Sequence, residues 1–253
     1  MTTDQRRPVS FRLDGRRALV TGGGGGIGGA VADGLAELGA EVIATSRDRA
    51  TAQRLAVRYG TAPCVLNVMD VGSMEDTIET VCAHGPIDIL VNNAGVNRPA
   101  SVLDVTEQIW DEVLGTNLKG AFFLAQTVAS RMIERGGGSI INIGSQAGTV
   151  GIEQRAPYCA SKGGLVQVTK VLALELAEFR IRVNNVSPTF VLTDLTRETL
   201  EQPELRSRFL AKIPLGRFAD THDVVGAVAY LAGDMAAMVT GHDLLVDGGW
   251  TAS

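Results

Sequence analysis

Five consecutive glycines, Gly22–Gly26, separate an apolar run at residues 17–21 from a pattern with apolar residues at helical spacing, Val31, Leu35 and Leu38. The apolar run is typical of a strand, so the glycines form a turn between a strand and a helix. Bare backbone at such a turn can approach a pyrophosphate closely, and the helix N-terminus adds free N–H groups and a favourable dipole. The turn therefore predicts a phosphate-binding site, and a flexible glycine turn without a ligand is the alternative.

Short apolar runs and helical patterns continue to alternate along the chain. Strands are predicted at 17–21, 42–45, 64–68, 87–91, 139–143, 181–186 and 244–246. Helices are predicted at 28–39, 49–59, 73–83 with Ser73 as N-cap, 106–135 with a break near Gly115, and 157–179. Strands this apolar on both faces indicate a parallel sheet covered by helices on both sides. With right-handed crossovers the expected fold is α/β, a doubly wound, Rossmann-like parallel sheet in three α/β/α layers.

No repeat and no linker-like change of composition divides the 253 residues, so a single domain over 1–253 is expected. One segment, about 189–220, interrupts the alternation and is polar and loop-like. A long excursion at the carboxyl edge of a sheet is where a substrate lid would lie.

Composition excludes several classes of function. The formal net charge of −5 argues against binding a nucleic-acid backbone. Three scattered cysteines and three histidines without metal-ligand spacing predict a reduced, cytoplasmic protein with no metal site. No apolar run is long enough to span a membrane. The N-terminus, with Arg6, Arg7 and Pro8, has no apolar stretch behind it, so no secretory signal is expected.

Tyr158 and Lys162 lie four residues apart on a predicted helix and so share one face. An ammonium group near a phenol favours the phenolate, which would lower the pKa of the tyrosine and make it usable as a general acid and base. Ser145 follows the fifth strand, where its hydroxyl could donate to a carbonyl oxygen that gains charge as hydride arrives. The hydride must come from a cofactor. A half-buried tyrosine beside a snorkelling lysine is the structural alternative.

The spacing Thr21-Gly-x-x-x-Gly-x-Gly28 is one of several motifs that occur in order along residues 17–249. The others are Asn92-Asn-Ala-Gly95, Asn117, Ser145, Tyr158-x-x-x-Lys162 and Val246-Asp-Gly-Gly249. Together they resemble the single-domain branch of the short-chain dehydrogenase/reductase family. The resemblance implies Tyr158 as acid and base, Lys162 as its partner and ribose ligand, Ser145 as donor to the substrate oxygen, and Asn117 as the residue that holds a helix break and a water beside Lys162.

The resemblance also implies a nicotinamide cofactor, and the residues expected to contact it lie on the turn and on the strand ends. They are Gly22, Gly24, Gly25, Gly26, Ile27, Ser46, Arg47, Asn67, Val68, Asn93, Ala94, Gly95, Tyr158, Lys162, Pro188, Thr189, Val191 and Thr193. Ser46 and Arg47 stand where NAD-preferring relatives carry an acid, and a hydroxyl with a guanidinium suits a 2′-phosphate. NADP(H) is therefore favoured and NAD(H) is possible. Against this, Gly25 leaves the turn without a basic residue, and Arg47 could simply be solvated.

The expected substrate wall is polar, which suits a polyhydroxylated molecule. It comprises Arg98, Ser145, Gln146, Gln154, Arg155 and Phe190. The two arginines could hold a carboxylate or another anion, or they could face solvent or pair with Glu153 or Asp104. Pro188-Thr189 is a variant shared with family members that act on sugars and polyols, such as xylulose reductases.

These observations predict an NADP(H)-dependent oxidoreductase that interconverts a secondary alcohol and a ketone, the substrate being a small sugar, sugar acid or polyol. Two alternatives stay open: a 3-oxoacyl-[acyl-carrier-protein] reductase, and a non-catalytic dinucleotide sensor that kept the fold. Long helices rich in small and apolar residues, together with Trp250, suggest contacts between subunits, and the family commonly forms homotetramers.

Overall fold

The computed structural model describes residues 10–252. The expectation about Arg6, Arg7 and Pro8 lies outside the described residues. Within 10–252, no helix combines the length and the apolar character that crossing a membrane requires.

Seven parallel strands form one sheet in the order β3-β2-β1-β4-β5-β6-β7. The strands are β1 Arg17–Val20, β2 Glu41–Ser46, β3 Cys64–Val65, β4 Ile89–Asn92, β5 Gly138–Ile143, β6 Ile181–Pro188 and β7 Asp243–Val246. The chain leaves β1 toward β2 and β3, and then returns to place β4 on the other side of β1. This reversal opens a crevice at the carboxyl ends of β1 and β4, which is where ligands bind in open α/β sheets.

Helices cover both faces of the sheet and confirm the doubly wound, three-layer architecture. They are α1 Gly26–Glu37, α2 Arg49–Tyr59, α3 Met74–Cys82, α4 Glu107–Leu114, α5 Ala121–Arg135, α6 Ala156–Leu176, α7 Asp194–Leu200, α8 Pro203–Leu210 and α9 Thr221–Ala232. Along β1, Ala18 and Val20 join the core on the side of α1 and α9, whereas Leu19 joins the core on the side of α5. The strand is thus buried on both faces, as its apolar sequence predicted.

The predicted strands and the five predicted helices are present, with changes at their ends. The helix predicted at 106–135 consists of α4, a π-helical turn over Gly115–Gly120, and α5, so the break near Gly115 is a widened turn. Ser73 was expected to cap the third helix, but its Oγ donates to the Asp70 carbonyl oxygen at 3.2 Å and makes no cap.

The prediction that 189–220 is loop-like is wrong, because this segment contains α7 and α8. Phe209 and Phe218 from the segment are buried against Trp250 near the C-terminus. The Phe190 ring stacks on Phe209 with 4.3 Å between centroids. We call this group, Phe190, Leu200, Phe209, Ile213, Phe218 and Trp250, the lid cluster.

Helix α9 was also missed. Its N-terminus carries a readable signal, since the Asp220 carboxylate accepts from the backbone N–H groups of His222 and Asp223 in a capping box.

Candidate active site

The glycine turn is fixed between β1 and α1 by close backbone packing. Gly22 and Gly26 have left-handed backbone with φ of 66° and 55°, which glycine adopts readily. A Cβ on Gly28 would collide with the carbonyl oxygen of Gly22 and with the Asn93 amide. The Gly23 N–H donates to the Thr45 carbonyl oxygen at 3.0 Å, which ties the turn to β2. The first N–H groups of α1 are thereby held at the crevice.

Thr21 joins this turn to the loop that follows β4. Its Oγ1 accepts hydrogen bonds from the backbone N–H groups of Asn93 and Ala94 at 2.9 and 3.0 Å. The Asn93 side-chain amide donates to the Thr21 carbonyl oxygen at 2.9 Å. The glycine turn and the loop after β4, which are about 70 residues apart in sequence, are therefore joined into one floor of the crevice.

Above this floor lies a cavity of about 360 Å³, which we call the cofactor cavity. It brings together most of the predicted cofactor residues: Gly22, Gly25, Gly26, Ile27, Asn93, Ala94, Gly95, Tyr158, Lys162, Pro188, Thr189, Val191 and Thr193. Gly28, Val96, Ser145, Asp194 and Thr196 are among its further lining residues. Bare glycine backbone at a helix N-terminus on one side and polar side chains on the other fit a dinucleotide.

The remaining predicted cofactor residues lie outside that lining. Ser46 ends β2, and its Oγ accepts from the Asp48 N–H at 3.1 Å. Arg47 is exposed. The first acid after β2, Asp48, is occupied as the N-cap of α2, where it accepts from the Thr51 N–H at 2.8 Å. The end of β2 therefore presents the Ser46 hydroxyl and the Arg47 guanidinium. The nearest carboxylate in sequence, that of Asp48, is already hydrogen-bonded to the α2 backbone.

Three further positions border this end of the site. Gly24 faces α2, and a Cβ there would lie 3.0 Å from the Thr51 methyl group. Asn67 is exposed, with its Oδ1 accepting from the Met69 N–H at 3.2 Å. Val68 is buried beneath it and packs against Gly120 of the π-helical turn.

Tyr158 and Lys162 stand one turn apart near the start of α6, as the spacing predicted. The Lys162 Nζ lies 5.7 Å from the centroid of the Tyr158 ring and donates to the Ile143 carbonyl oxygen at 2.7 Å. Burial lowers the pKa of Lys162 to about 8. Both functional groups line the cofactor cavity.

The pKa of Tyr158 differs from the sequence-based expectation. Burial raises it above the ordinary value, while the neighbouring Ser145 hydroxyl and, more weakly, the Arg155 charge act in the opposite direction. Lys162 was expected to lower this pKa. In the protein alone, the cost of desolvating the phenolate is larger than the stabilisation that the neighbouring groups give to it, so the pKa is raised.

Ser145 is placed by the end of β5. The Ser145 backbone is extended. Its Oγ accepts a hydrogen bond from the Ala147 N–H at 3.2 Å. The same Oγ donates to the Gln146 side-chain oxygen at 3.2 Å. The hydroxyl borders both the cofactor cavity and a second, smaller cavity.

Asn117 lies in the π-helical turn and connects three elements. Its Oδ1 accepts from the Val96 N–H at 2.8 Å, and its Nδ2 donates to the Val96 carbonyl oxygen at 2.9 Å. The same Nδ2 donates to the Ser161 Oγ at 3.1 Å, and Ser161 in turn donates to the Tyr158 carbonyl oxygen. Asn117 therefore joins the loop after β4 to the helix that carries Tyr158.

The smaller cavity has a volume of about 70 Å³, and we call it the substrate cavity. The predicted substrate residues Ser145, Gln146, Arg155 and Phe190 line it, together with Asn97, Ile152, Tyr158, Thr189, Thr196 and Thr199. Thr196 and Thr199 were missed because the segment was interpreted as a loop. They lie three residues apart on α7, which places them on one helix face.

Two predicted substrate residues lie elsewhere. Arg98 is outside the lining and forms an ion pair with Glu112, at 2.6 Å, instead of the anticipated Glu153 or Asp104. Gln154 is exposed, and it contributes only its backbone carbonyl oxygen, which accepts from the Arg155 guanidinium at 3.2 Å. Glu153 pairs with Arg208 at 3.1 Å. Among residues 10–252, no group of three or more His, Cys, Asp or Glu side chains could hold a metal ion.

Comparison with known proteins agrees with this geometry. Residues 23–251 match a family model described as Enoyl-(Acyl carrier protein) reductase. The chain is 44% identical to D-threitol dehydrogenase of Mycolicibacterium smegmatis, over 99% of both chains, and 40% identical to L-xylulose reductase of Bos taurus, over 97% of this chain and 100% of the relative. A gluconate 5-dehydrogenase of Burkholderia cenocepacia, solved in complex with NADP and tartrate, superposes with a TM-score of 0.94 at 37% identity, covering 96% of this chain and 98% of that one. With these matches over nearly its whole length, the chain belongs to the short-chain dehydrogenase/reductase family.

Proposed function

We propose that the protein is an NADP(H)-dependent oxidoreductase that interconverts a secondary alcohol and a ketone, the substrate being a sugar, sugar acid or polyol. The observation that carries this proposal is that Ser145, Tyr158 and Lys162 share one cavity with the glycine turn. A nicotinamide held on that turn would accept or supply the hydride. The side chains then have to manage only the proton and the charge on the substrate oxygen.

Tyr158 is the group that exchanges the proton. In the direction of oxidation, its phenolate takes the hydroxyl proton of the substrate while the carbon gives up hydride, and in the reverse direction the phenol returns that proton to the oxygen. The Ser145 hydroxyl donates a hydrogen bond to the same oxygen and stabilises its negative charge. Lys162 supplies positive charge beside the phenol and would bind the ribose of the cofactor.

The preference for NADP(H) is supported at the end of β2. Ser46 and the exposed Arg47 replace the acid that would bind a 2′-hydroxyl and repel a 2′-phosphate. The solved gluconate 5-dehydrogenase contains NADP. NAD(H) is expected to bind more weakly than NADP(H).

The substrate class is supported by the polar lining of the substrate cavity. Gln146, Asn97 and the two threonines of α7 offer partners for several hydroxyl groups. The relatives named for D-threitol and L-xylulose act on small polyhydroxylated molecules. We further propose that residues 1–253 act as one domain in which α7 and α8 form the substrate lid.

A nicotinamide absorbance screen tests this function. Purified protein would be mixed with NADP⁺ or NADPH, and in parallel with NAD⁺ or NADH, against polyols, sugar acids, ketoses and simple ketones. We expect turnover with at least one polyhydroxylated compound and a higher kcat/KM with NADP(H). Tight binding of NADPH without turnover of any compound would instead indicate the non-catalytic sensor.

A second candidate is a 3-oxoacyl-[acyl-carrier-protein] reductase, because the chain is 41% identical to the enzyme of that name from Escherichia coli. The two functions are separated by adding a 3-oxoacyl thioester to the same screen. A kcat/KM for the thioester that exceeds the value for every polyhydroxylated compound would favour the second candidate.

We also propose a cytoplasmic homotetramer. The α6 helix exposes Val171 and Leu174, at 51% and 80% of their surface, and the edge strand β7 exposes Leu245. Such apolar side chains suit contacts between identical subunits. Trp250 was also expected at an interface, but it is buried inside its own chain in the lid cluster. Light scattering on the purified protein tests the tetramer, and Val171→Glu with Leu174→Glu should lower the measured mass.

A further inference from the structure

Arg155 is a buried cation for which the described residues provide no carboxylate partner. Only 7% of its surface is exposed, yet it forms no ion pair with any residue in 10–252. Its side chain donates one hydrogen bond within the described part of the chain, from Nη1 to the Gln154 carbonyl oxygen at 3.2 Å. A buried charge without a counter-ion is costly, so its retention indicates that a bound partner supplies the opposite charge.

The Arg155 side chain lies in the same cavity as the groups assigned to the reaction. Gln154 has left-handed backbone with φ of 60°, which is uncommon for a residue other than glycine. This conformation precedes Arg155 at the start of α6, three residues before Tyr158. Arg155 lines the substrate cavity together with Tyr158 and Ser145.

Two further polar atoms in the same cavity also lack partners. Asn97 Oδ1 and Thr189 Oγ1 are both buried, and neither has a hydrogen-bond partner among the described residues. Buried polar atoms are almost always bonded, so these two atoms point to a polar ligand. An amide oxygen accepts from a hydroxyl group, whereas the arginine can only donate.

From these contacts we propose that the substrate cavity binds a carboxylate through Arg155, so that the preferred substrate is a hydroxy acid or sugar acid. The proposal rests on the proposed function and narrows its substrate class. Arg155 is the only charged side chain among the described residues that line the cavity, and one positive charge matches a carboxylate better than a phosphate dianion. Arg155 shares this cavity with Ser145 and Tyr158, the two groups assigned to the reacting oxygen. The carboxylate therefore lies within a few bonds of the reacting carbon.

Paired substrates of equal carbon number test this proposal. Threonate and threitol differ by one carboxylate in place of a hydroxymethyl group, and so do gluconate and sorbitol. With NADP⁺, we expect a kcat/KM about 10- to 150-fold higher for each acid than for its neutral partner, because hydrogen bonds to a charged group contribute about 1.5–3 kcal/mol. Calorimetry on the protein saturated with NADP⁺ should show the same order of affinity. A sugar phosphate is included as a third arm, and preference for it over both acids would overturn the carboxylate assignment.

Variants locate the effect. Arg155→Gln should reduce the ratio of kcat/KM for threonate to that for threitol about 100-fold, whereas Arg155→Lys should reduce it about 10-fold. Arg208→Gln is the control, because this exposed arginine is paired with Glu153 and does not line the cavity, and it should leave the ratio unchanged.

The outcomes separate the two proposals. Turnover of threitol at least as efficient as that of threonate by the unaltered protein would overturn the carboxylate site and leave the oxidoreductase intact. An unchanged ratio in active Arg155→Gln would do the same. Failure of every alcohol and ketone to react would overturn the proposed function itself.

Discussion

The Lys162 ammonium group lies beside the Tyr158 ring, 5.7 Å from its centroid, but gives its hydrogen bond to the Ile143 carbonyl oxygen. Tyr158 lines both the cofactor cavity and the substrate cavity, where its hydroxyl can reach a substrate oxygen. We expect Tyr158→Phe to lower kcat by about 10²- to 10⁴-fold, because the variant loses its proton donor and acceptor. NADPH affinity measured by calorimetry should stay within about threefold, since the ring remains in place. A decrease in kcat of less than about fivefold would contradict the assigned role.

Arg47 is expected to select the cofactor. Arg47→Asp should lower the ratio of kcat/KM for NADP⁺ to that for NAD⁺ by about 100-fold or more, because a guanidinium–phosphate contact becomes a repulsion. Arg135→Asp makes the same change of charge at the far edge of the sheet and should have no such effect. Equal ratios in the two variants would show that Arg47 is solvated and does not contact the cofactor.

Gly25 offers a position at which NADP(H) binding can be improved. A Cβ on Gly25 would meet no atom within 4 Å in the described part of the chain, and the backbone there is extended, so a side chain is tolerated. Gly25→Lys should lower KM for NADP⁺ by about tenfold by adding a cation beside the phosphates. Gly28→Ala is the matched opposite case, since its methyl group would collide with Gly22 and reduce affinity for both cofactors. An unchanged KM for NADP⁺ in Gly25→Lys would contradict the assignment of this turn to the phosphates.

The lowered pKa of Lys162 predicts a particular dependence of stability on pH. Its folded value of about 8 lies below the ordinary 10.5, so the unfolded chain binds more protons between these values and the free energy of unfolding rises with pH across that window. The destabilisation is fully present below about pH 8 and is lost above the unfolded value. Lys162→Met removes this contribution. We therefore expect its stability relative to the unaltered protein to decline from pH 7 to pH 10.5, by at most about 3 kcal/mol.

Urea unfolding of both proteins at several pH values measures this difference. Tyr59 and Cys64 also have pKa values raised by burial, but they titrate identically in both proteins and cancel. A constant difference across the range would show that Lys162 is charged in the folded protein at all of these pH values.

Asn117 is expected to be required for stability as well as for positioning. In Asn117→Asp, a carboxylate oxygen would face the Val96 carbonyl oxygen, to which the amide now donates. We expect unfolding to become easier by about 2–4 kcal/mol, since an unpaired charge is buried. Asn67→Asp, at an exposed position, should change stability by less than about 0.5 kcal/mol. A loss below about 1 kcal/mol for Asn117→Asp would contradict the network.

Local patterns determine how much the sequence could predict. The strands, the glycine turn and the Tyr158–Lys162 spacing depend on periods of a few residues, and these predictions agree with the structure. The helices α7 and α8 have only seven and eight residues and are held by Phe209, Phe218 and the distant Trp250, so no local period identifies them. Long-range packing overrides weak local preference in such segments.

The two arginines show a second limit. The sequence predicts Arg98 and Arg155 equally well as anion ligands, because both belong to loops beside predicted strands or helices. Their difference arises from partners: Glu112 on α4 neutralises Arg98, and the described residues offer Arg155 no acid. The pKa of Tyr158 shows the same limit. Whether this pKa is raised or lowered depends on the burial of the phenol, and only the folded chain determines that burial.

The lid cluster gives the protein an internal optical probe. Phe190 lines the substrate cavity and also lies 5.8 Å, centroid to centroid, from the Trp250 ring. A ligand that displaces Phe190 must therefore change the surroundings of this indole. Because Trp110 is the only other tryptophan and lies exposed on α4, Trp110→Phe leaves a single emitter. Its fluorescence should report occupancy of the cavity in a stopped-flow instrument, without any attached dye and before the first turnover.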